Sequence, residues 1–181
     1  LYSLMPMVQP KMVEVSKPLT RIESIPQPKV KEMLWGEPTW FLFHTLAEKI
    51  KEEYFHQLKD ALFKYIRQIC NNLPCPDCAR HATQYMNRIN FDAITTKEQF
   101  KIMLFSFHNE VNKQKNYPLF DFSELTTKYE TAITINIVRN FFNHFSKKSF
   151  NIRIDTGNYN RSRLLTEFRK WLEQNAYCFY E

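Results

Sequence analysis

The chain has 181 residues, enough for one domain with a sizeable core and extensions to either side. It contains two glycines, Gly36 and Gly157, which excludes a Rossmann fingerprint or a P-loop, since both need several glycines for backbone to approach phosphate. The formal net charge of +6 is scattered without a block of like charges, so it reads as a solvated basic surface and no nucleic-acid partner is expected.

Four cysteines (Cys70, Cys75, Cys78 and Cys178) are too few for a secreted disulfide scaffold of this size. No apolar run reaches the roughly eighteen residues that span a bilayer, because Arg139 interrupts "ITINIVRNFF". No signal peptide is visible and no membrane partner is expected.

Residues 1–31 carry Pro6, Pro10, Pro18, Pro26 and Pro28 with little apolar periodicity, which predicts an extended arm. From "WGEPTWFLFHTLAEKIKEEY" the pattern becomes helical. Pro38 suits a first turn, and Trp40, Phe43, His44, Ala47 and Ile50 follow at three-and-four spacing. A second helix is expected over about 55–70, with Phe55, Leu58, Leu62, Tyr65, Ile66 and Ile69 on one stripe. A third opens at Pro76 and places Cys78, Ala82, Tyr85 and Ile89 on one face. A fourth opens at Thr96 with Gln99 at capping-box spacing and runs to about Asn116.

That fourth helix carries two stripes. Phe100, Met103, Leu104, Phe107 and Val111 form a core face. Phe105, His108, Asn109 and Asn112 lie roughly opposite, where a solvated face would more often carry Lys and Glu; this second face suits something flat and polar. Another helical segment is expected over about 123–147, then a loop with a short extended piece in "FNIRIDTGNYN", then an amphipathic helix in "SRLLTEFRKWLEQN". The expectation is an all-α fold: a four- to five-helix bundle over residues 32–130, with the Pro-rich arm before it and a helical extension, 131–181, after it.

The stretch "LPCPDCARHAT" admits three readings. Zinc would need Cys70, Cys75, Cys78 and His81, which make one knuckle-like pair with two irregular companions, and no metal is expected. Inert burial suits Cys70, which sits beside Ile69. For Cys75 and Cys78 a helix start favours redox, because the positive end of the helix dipole lowers the pKa of the first thiol, with Arg80 and His81 adding to this and Asp77 opposing it. A thioredoxin frame would need a βαβ unit, and none is offered. The electron partner should therefore come from neighbouring helices, whose Trp40/His44 and Phe105/His108 faces offer a flat slot and a stacking surface.

"WGEPTWFLFHTLAEKI", "LPCPDCARHATQYM" and "FSFHNEVNKQKNYPLFDF", in that order, resemble the signature segments of Erv/ALR-type FAD-linked sulfhydryl oxidases, most of all those encoded by large DNA viruses. The resemblance covers about residues 34–130. It implies FAD held without a covalent bond between helices, a homodimer, protein dithiols and O2 as substrates, and H2O2 as product. It implies that Cys78 faces the flavin and Cys75 exchanges with substrate. Gly36, Trp40 and His44 would line the FAD; Phe105, His108, Asn109 and Asn112 would continue that wall, with Val111 packed between. Lys113 would approach the phosphates, and Tyr117, Lys128 and Tyr129 would enclose the adenosine end. If the chain is viral, the resemblance implies work in the host cytoplasm or the virion. Two features depart from the family. Where many members have a structural disulfide this chain has Phe105 and Phe122, and Cys178 stands alone where a shuttle pair would be expected. The alternative from another class is a non-catalytic helical adaptor with a structural or zinc-bound cysteine pair.

Overall fold

The computed structural model describes residues 33–146 and 155–181. The arm expected over 1–31 and the extended piece expected near 150–154 lie outside the described residues. Within them the fold is all-helical apart from one antiparallel bridge between Ile50 and Phe179.

Helix α1 (Gly36–Lys49) places Pro38 in its first turn, where a missing N–H costs nothing. Thr39 Oγ1 donates to the Trp35 carbonyl at 2.7 Å and tightens that turn. α1 is the central helix of the fold and packs against three others, α4 (Lys97–Gln114), α5 (Glu124–Glu130) and α6 (Thr134–Phe145). α2 (Glu52–Asn71) is amphipathic, with Glu52 and Glu53 at its positive end and Phe55, Leu58, Leu62, Phe63, Ile66, Ile69 and Cys70 buried.

α3 (Pro76–Met86) packs on α2 and starts with Cys75 as its N-cap and Pro76 in first position. The sequence pattern extends its apolar face to Ile89, but the helix closes at the buried Met86 and Ile89 lies half-buried in the turn beyond. α4 has the expected capping box, with Gln99 N donating to Thr96 Oγ1 at 3.2 Å and Thr96 N donating to Gln99 Oε1 at 3.2 Å.

The single helix expected over 123–147 is two, α5 and α6. Ala132 N closes a turn on the Tyr129 carbonyl, Ile133 takes an extended ψ of 108°, and the chain restarts at Thr134. The reason is tertiary. Tyr129 and Phe141 are both buried, yet in one straight helix their positions would lie about 120° apart around the axis. The break lets each meet the core.

α7 (Asp155–Gln174) begins inside the segment expected to be a loop, and Gly157 lies within it. Phenylalanines of the extension face inward, while its Tyr159, Tyr177 and Tyr180 are exposed. Phe141, Phe142, Phe145 and Phe168 join the same core as Phe43 and Phe100, each contributing about 2 kcal/mol of burial. The C-terminal segment then pins the α1–α2 corner: Lys51 N donates to the Cys178 carbonyl at 2.9 Å and Tyr180 N to the Lys49 carbonyl at 2.7 Å. Cys70 and Cys178 are both buried, free thiols, and burial pushes the Cys70 pKa up. No described helix is long and apolar enough to cross a membrane.

Candidate redox and cofactor site

Cys75 and Cys78 are joined as a disulfide, their Cα atoms 5.2 Å apart, at the N-terminus of α3. Cys75 has extended backbone, as an N-cap must, and its Sγ accepts a hydrogen bond from Cys78 N at 3.2 Å. Both residues are half-buried. Asp77 and Arg80 pair with each other at 2.6 Å, so their charges largely cancel beside the sulfurs. Among the described residues no group of three or more His, Cys, Asp or Glu comes together as a metal site.

α4 connects this disulfide to an aromatic cluster. At its C-terminal end Lys115 Nζ lies 4.0 Å from Cys78 Sγ. Two turns earlier, about 10 Å along the axis, the His108 ring stacks on Trp40 with centroids 4.1 Å apart and planes 10° from parallel. His44 Nε2 and His108 Nδ1 are 3.1 Å apart, and the His44 ring stacks on Tyr129 at 4.8 Å. Phe107, on the core side of α4, touches Trp40 at 5.0 Å and Tyr85 of α3 at 4.6 Å.

Both imidazoles are neutral. Burial, then the neighbouring His108 and Lys128, pushes His44 down to about 3. Burial, then Lys128, pushes His108 down to about 4. Burial, with Glu37 and Glu124 adding to it, raises the pKa of the Tyr129 hydroxyl. Lys128 lies over Phe41, Phe120 and Tyr129 at 5.3–6.0 Å.

Sequence reasoning placed several side chains in this wall, and the structure gives each a position. Trp40, His44, His108 and Tyr129 are brought together. Asn109 and Asn112 turn their amides to the returning chain. Asn109 Nδ2 donates to the Phe120 carbonyl at 3.0 Å and its Oδ1 accepts from Phe120 N at 2.8 Å, while Asn112 Nδ2 donates to the Pro118 carbonyl at 3.2 Å. Phe105 packs on Phe120 and Phe122. Val111 is half-buried against the core, and Lys113 and Tyr117 are exposed. At Gly36 an added Cβ would meet only Met33 Cβ at 3.9 Å, an ordinary contact, so packing within the chain does not require glycine there.

Two residues escaped the sequence. Phe120 touches His44, His108, Phe105 and Tyr129. The signal for it was the pair of asparagines on α4, whose amides needed a partner. Lys115 is the other, and no periodicity marks it.

The cluster fits an aromatic dinucleotide such as FAD. It offers flat ring faces and a nearby cation, and His44 Nδ1 is a buried polar atom without a hydrogen-bond partner among the described residues. A cleft of about 1080 Å³ lies elsewhere, between α6, α7 and the C-terminal segment, and none of these site residues lines it.

The sequence model of the Erv1 / Alr family matches residues 37–130, which include the cysteine pair, the histidines and Tyr129. A protein of African swine fever virus named FAD-linked sulfhydryl oxidase is 30% identical over 99 residues, covering 55% of this chain and 82% of that protein. A protein of Invertebrate iridescent virus 3 is 30% identical over 86 residues, covering 47% of this chain and 58% of that protein, so the chain spans little more than half of that relative's length. No solved structure matches the chain. With the family model covering more than half of the chain, the chain belongs to the Erv1 / Alr family.

Proposed function

We propose that this chain is a FAD-linked thiol oxidase that makes disulfides in protein substrates. The observation that carries this reading is the Cys75–Cys78 disulfide at a helix N-terminus, on a helix packed through Tyr85 against the element that bears the dihistidine wall. The family match and the name of the African swine fever virus relative support it.

In this reading Trp40, His44, His108, Phe120, Lys128 and Tyr129 would hold FAD, and the exposed Lys113 and Tyr117 would contribute from the surface. Neutral His44 would have Nδ1 free to hydrogen-bond the cofactor, and the paired ring nitrogens keep both imidazoles in fixed tautomers. A substrate thiolate attacks Cys75 Sγ, the bond to Cys78 breaks, and the electron pair stays on Cys78. A second substrate thiolate then attacks the substrate-side sulfur, and the product disulfide leaves a reduced Cys75 and Cys78. When bound, FAD supplies the two-electron acceptance that reoxidises this dithiol and the return of those electrons to dioxygen as hydrogen peroxide. The substrates are protein dithiols and the working unit is a homodimer. The viral relatives support a role in virion protein disulfides, in the infected cell's cytoplasm or the particle.

An absorption spectrum of the purified protein tests the reading. Flavin bands should bleach with anaerobic dithiothreitol and return in air, and Cys78→Ser should keep the bands and lose dithiol turnover. A protein that stays colourless after refolding with FAD would overturn it in favour of a non-catalytic helical module.

A further inference from the structure

The two sulfurs of the pair are alike in chemistry but not in surroundings. Cys75 Sγ is the N-cap acceptor of α3 and lies at the positive end of that helix, which stabilises negative charge on it. Cys78 lies in the same first turn, but among the described residues no hydrogen bond from α3 reaches its sulfur. If helix position alone decided, Cys75 would be the better leaving sulfur, and an incoming thiolate would attack Cys78. That is the wrong order for an enzyme whose Cys78 must end as the inner thiolate.

Lys115 reverses this bias. Its ammonium is 4.0 Å from Cys78 Sγ, and the end of α4 holds it there. Asn116 adopts φ = 55°, the left-handed conformation of a helix terminator. Asn116 N donates to the Lys113 carbonyl at 3.2 Å and Tyr117 N to the Asn112 carbonyl at 2.9 Å, the two bonds of a Schellman motif. The Asn112 side chain then bonds the Pro118 carbonyl and locks the reversal. Lys115 is the C-cap of this turn and is half-buried against α3.

Other charges near the pair do not do the same work. Asp77 and Arg80 are engaged with each other, His81 and Lys113 are exposed, and Glu110 Oε1 accepts from Gln114 Nε2 at 3.4 Å. We propose that Lys115 selects the leaving sulfur: by holding negative charge on Cys78 Sγ it directs the substrate thiolate to Cys75. The step balances as ordinary exchange. One S–S bond forms at Cys75, the Cys75–Cys78 bond breaks, and the electron pair departs on Cys78 as a thiolate beside the ammonium.

This inference rests on the thiol-oxidase reading for its biological use, but its test does not need turnover. The oxidised full-length protein is mixed with β-mercaptoethanol, an uncharged probe thiol, quenched with acid, and the mixed disulfide is located by fragment-ion sequencing. The wild-type adduct should fall mainly on Cys75. In Lys115→Met the ratio of Cys75 to Cys78 adduct should drop by about three- to tenfold, and Lys115→Arg should restore most of it. An unchanged ratio in Lys115→Met, or a loss that arginine does not rescue, overturns the inference. A shifted ratio in a protein that never oxidises dithiols supports the role of Lys115 and counts against the oxidase reading instead.

Discussion

Phe105 and Phe122 meet edge to face, with ring centroids 5.2 Å apart and planes at 88°. These are the two positions where the family resemblance placed a missing disulfide, and the structure shows a ring contact bridging them. The contact ties α4 to the chain that returns past Phe120 into α5, so it braces the loop that supplies one wall of the site.

A ring pair braces more softly than a covalent bond. A double-mutant cycle on Phe105→Ala and Phe122→Ala should give a coupling of about 0.5–1 kcal/mol by urea denaturation. Additive single mutants would mean that the rings merely lie near each other.

The dihistidine pair makes the fold sensitive to acid. In the unfolded chain each imidazole titrates near 6.5, whereas the folded values are about 3 for His44 and about 4 for His108. Below 6.5 the unfolded chain therefore binds more protons, and stability falls as pH drops toward 4. Above 6.5 the contribution is fully present. Each unit of depression corresponds to about 1.4 kcal/mol, so the urea midpoint should fall clearly over this window. His108→Phe, which keeps a ring on Trp40, should flatten the dependence. A midpoint that does not move between 6.5 and 4 would exclude buried neutral histidines.

Asn109 acts on the Phe120 backbone like a segment of β-ladder, donating once and accepting once. Asn109→Ala should cost about 2 kcal/mol, because both backbone groups lose a partner. Asn109→Asp should not rescue it, since a carboxylate would face the Phe120 carbonyl oxygen. Limited proteolysis across 117–122 should accelerate in both variants, and unchanged cleavage would assign the loop's order to other contacts.

Arg161 connects the extension to the redox loop. It is buried, its Nε donates to the Asn72 carbonyl at 3.0 Å, and its guanidinium lies over Phe145. Asn72 is three residues before Cys75. Arg161→Met keeps much of the stem packing and removes the bond, so it should cost about 2 kcal/mol. Amide exchange across 72–78 should rise with it. Exchange that rises only in α7 would separate the extension from the cysteine loop.

What sequence could show followed from how local each cause was. The capping box at Thr96 and Gln99 and the Pro76 helix start are made by residues within one turn, and both were legible. So was the odd face of α4 that carries His108, because Phe, His and Asn made little sense there in water; that it meets Trp40 and His44 was implied only by the family resemblance. The break at 131–133 was not legible: Thr, Ala and Ile carry no stop signal, and the interruption exists so that Tyr129 and Phe141 can both face inward. The start of α7 was hidden by the opposite error, since Gly157 and the asparagines beside it mimic a loop. Lys115 could not be found because a C-terminal turn at Asn116, rather than any spacing, aims it at Cys78.

From Pro38 to Ile50 not one residue of α1 and its C-cap is exposed, whereas α2 alternates buried and exposed positions along its length. A saturation scan of the gene should register that difference as a barcode. Along α2 permissive codons should recur with the helical period, and along α1 they should be missing throughout. The helix that carries Trp40 and His44 is hemmed in by the site on one side and the extension on the other, so it has little room to drift. Diversification among relatives should gather on α2 and leave α1 nearly still.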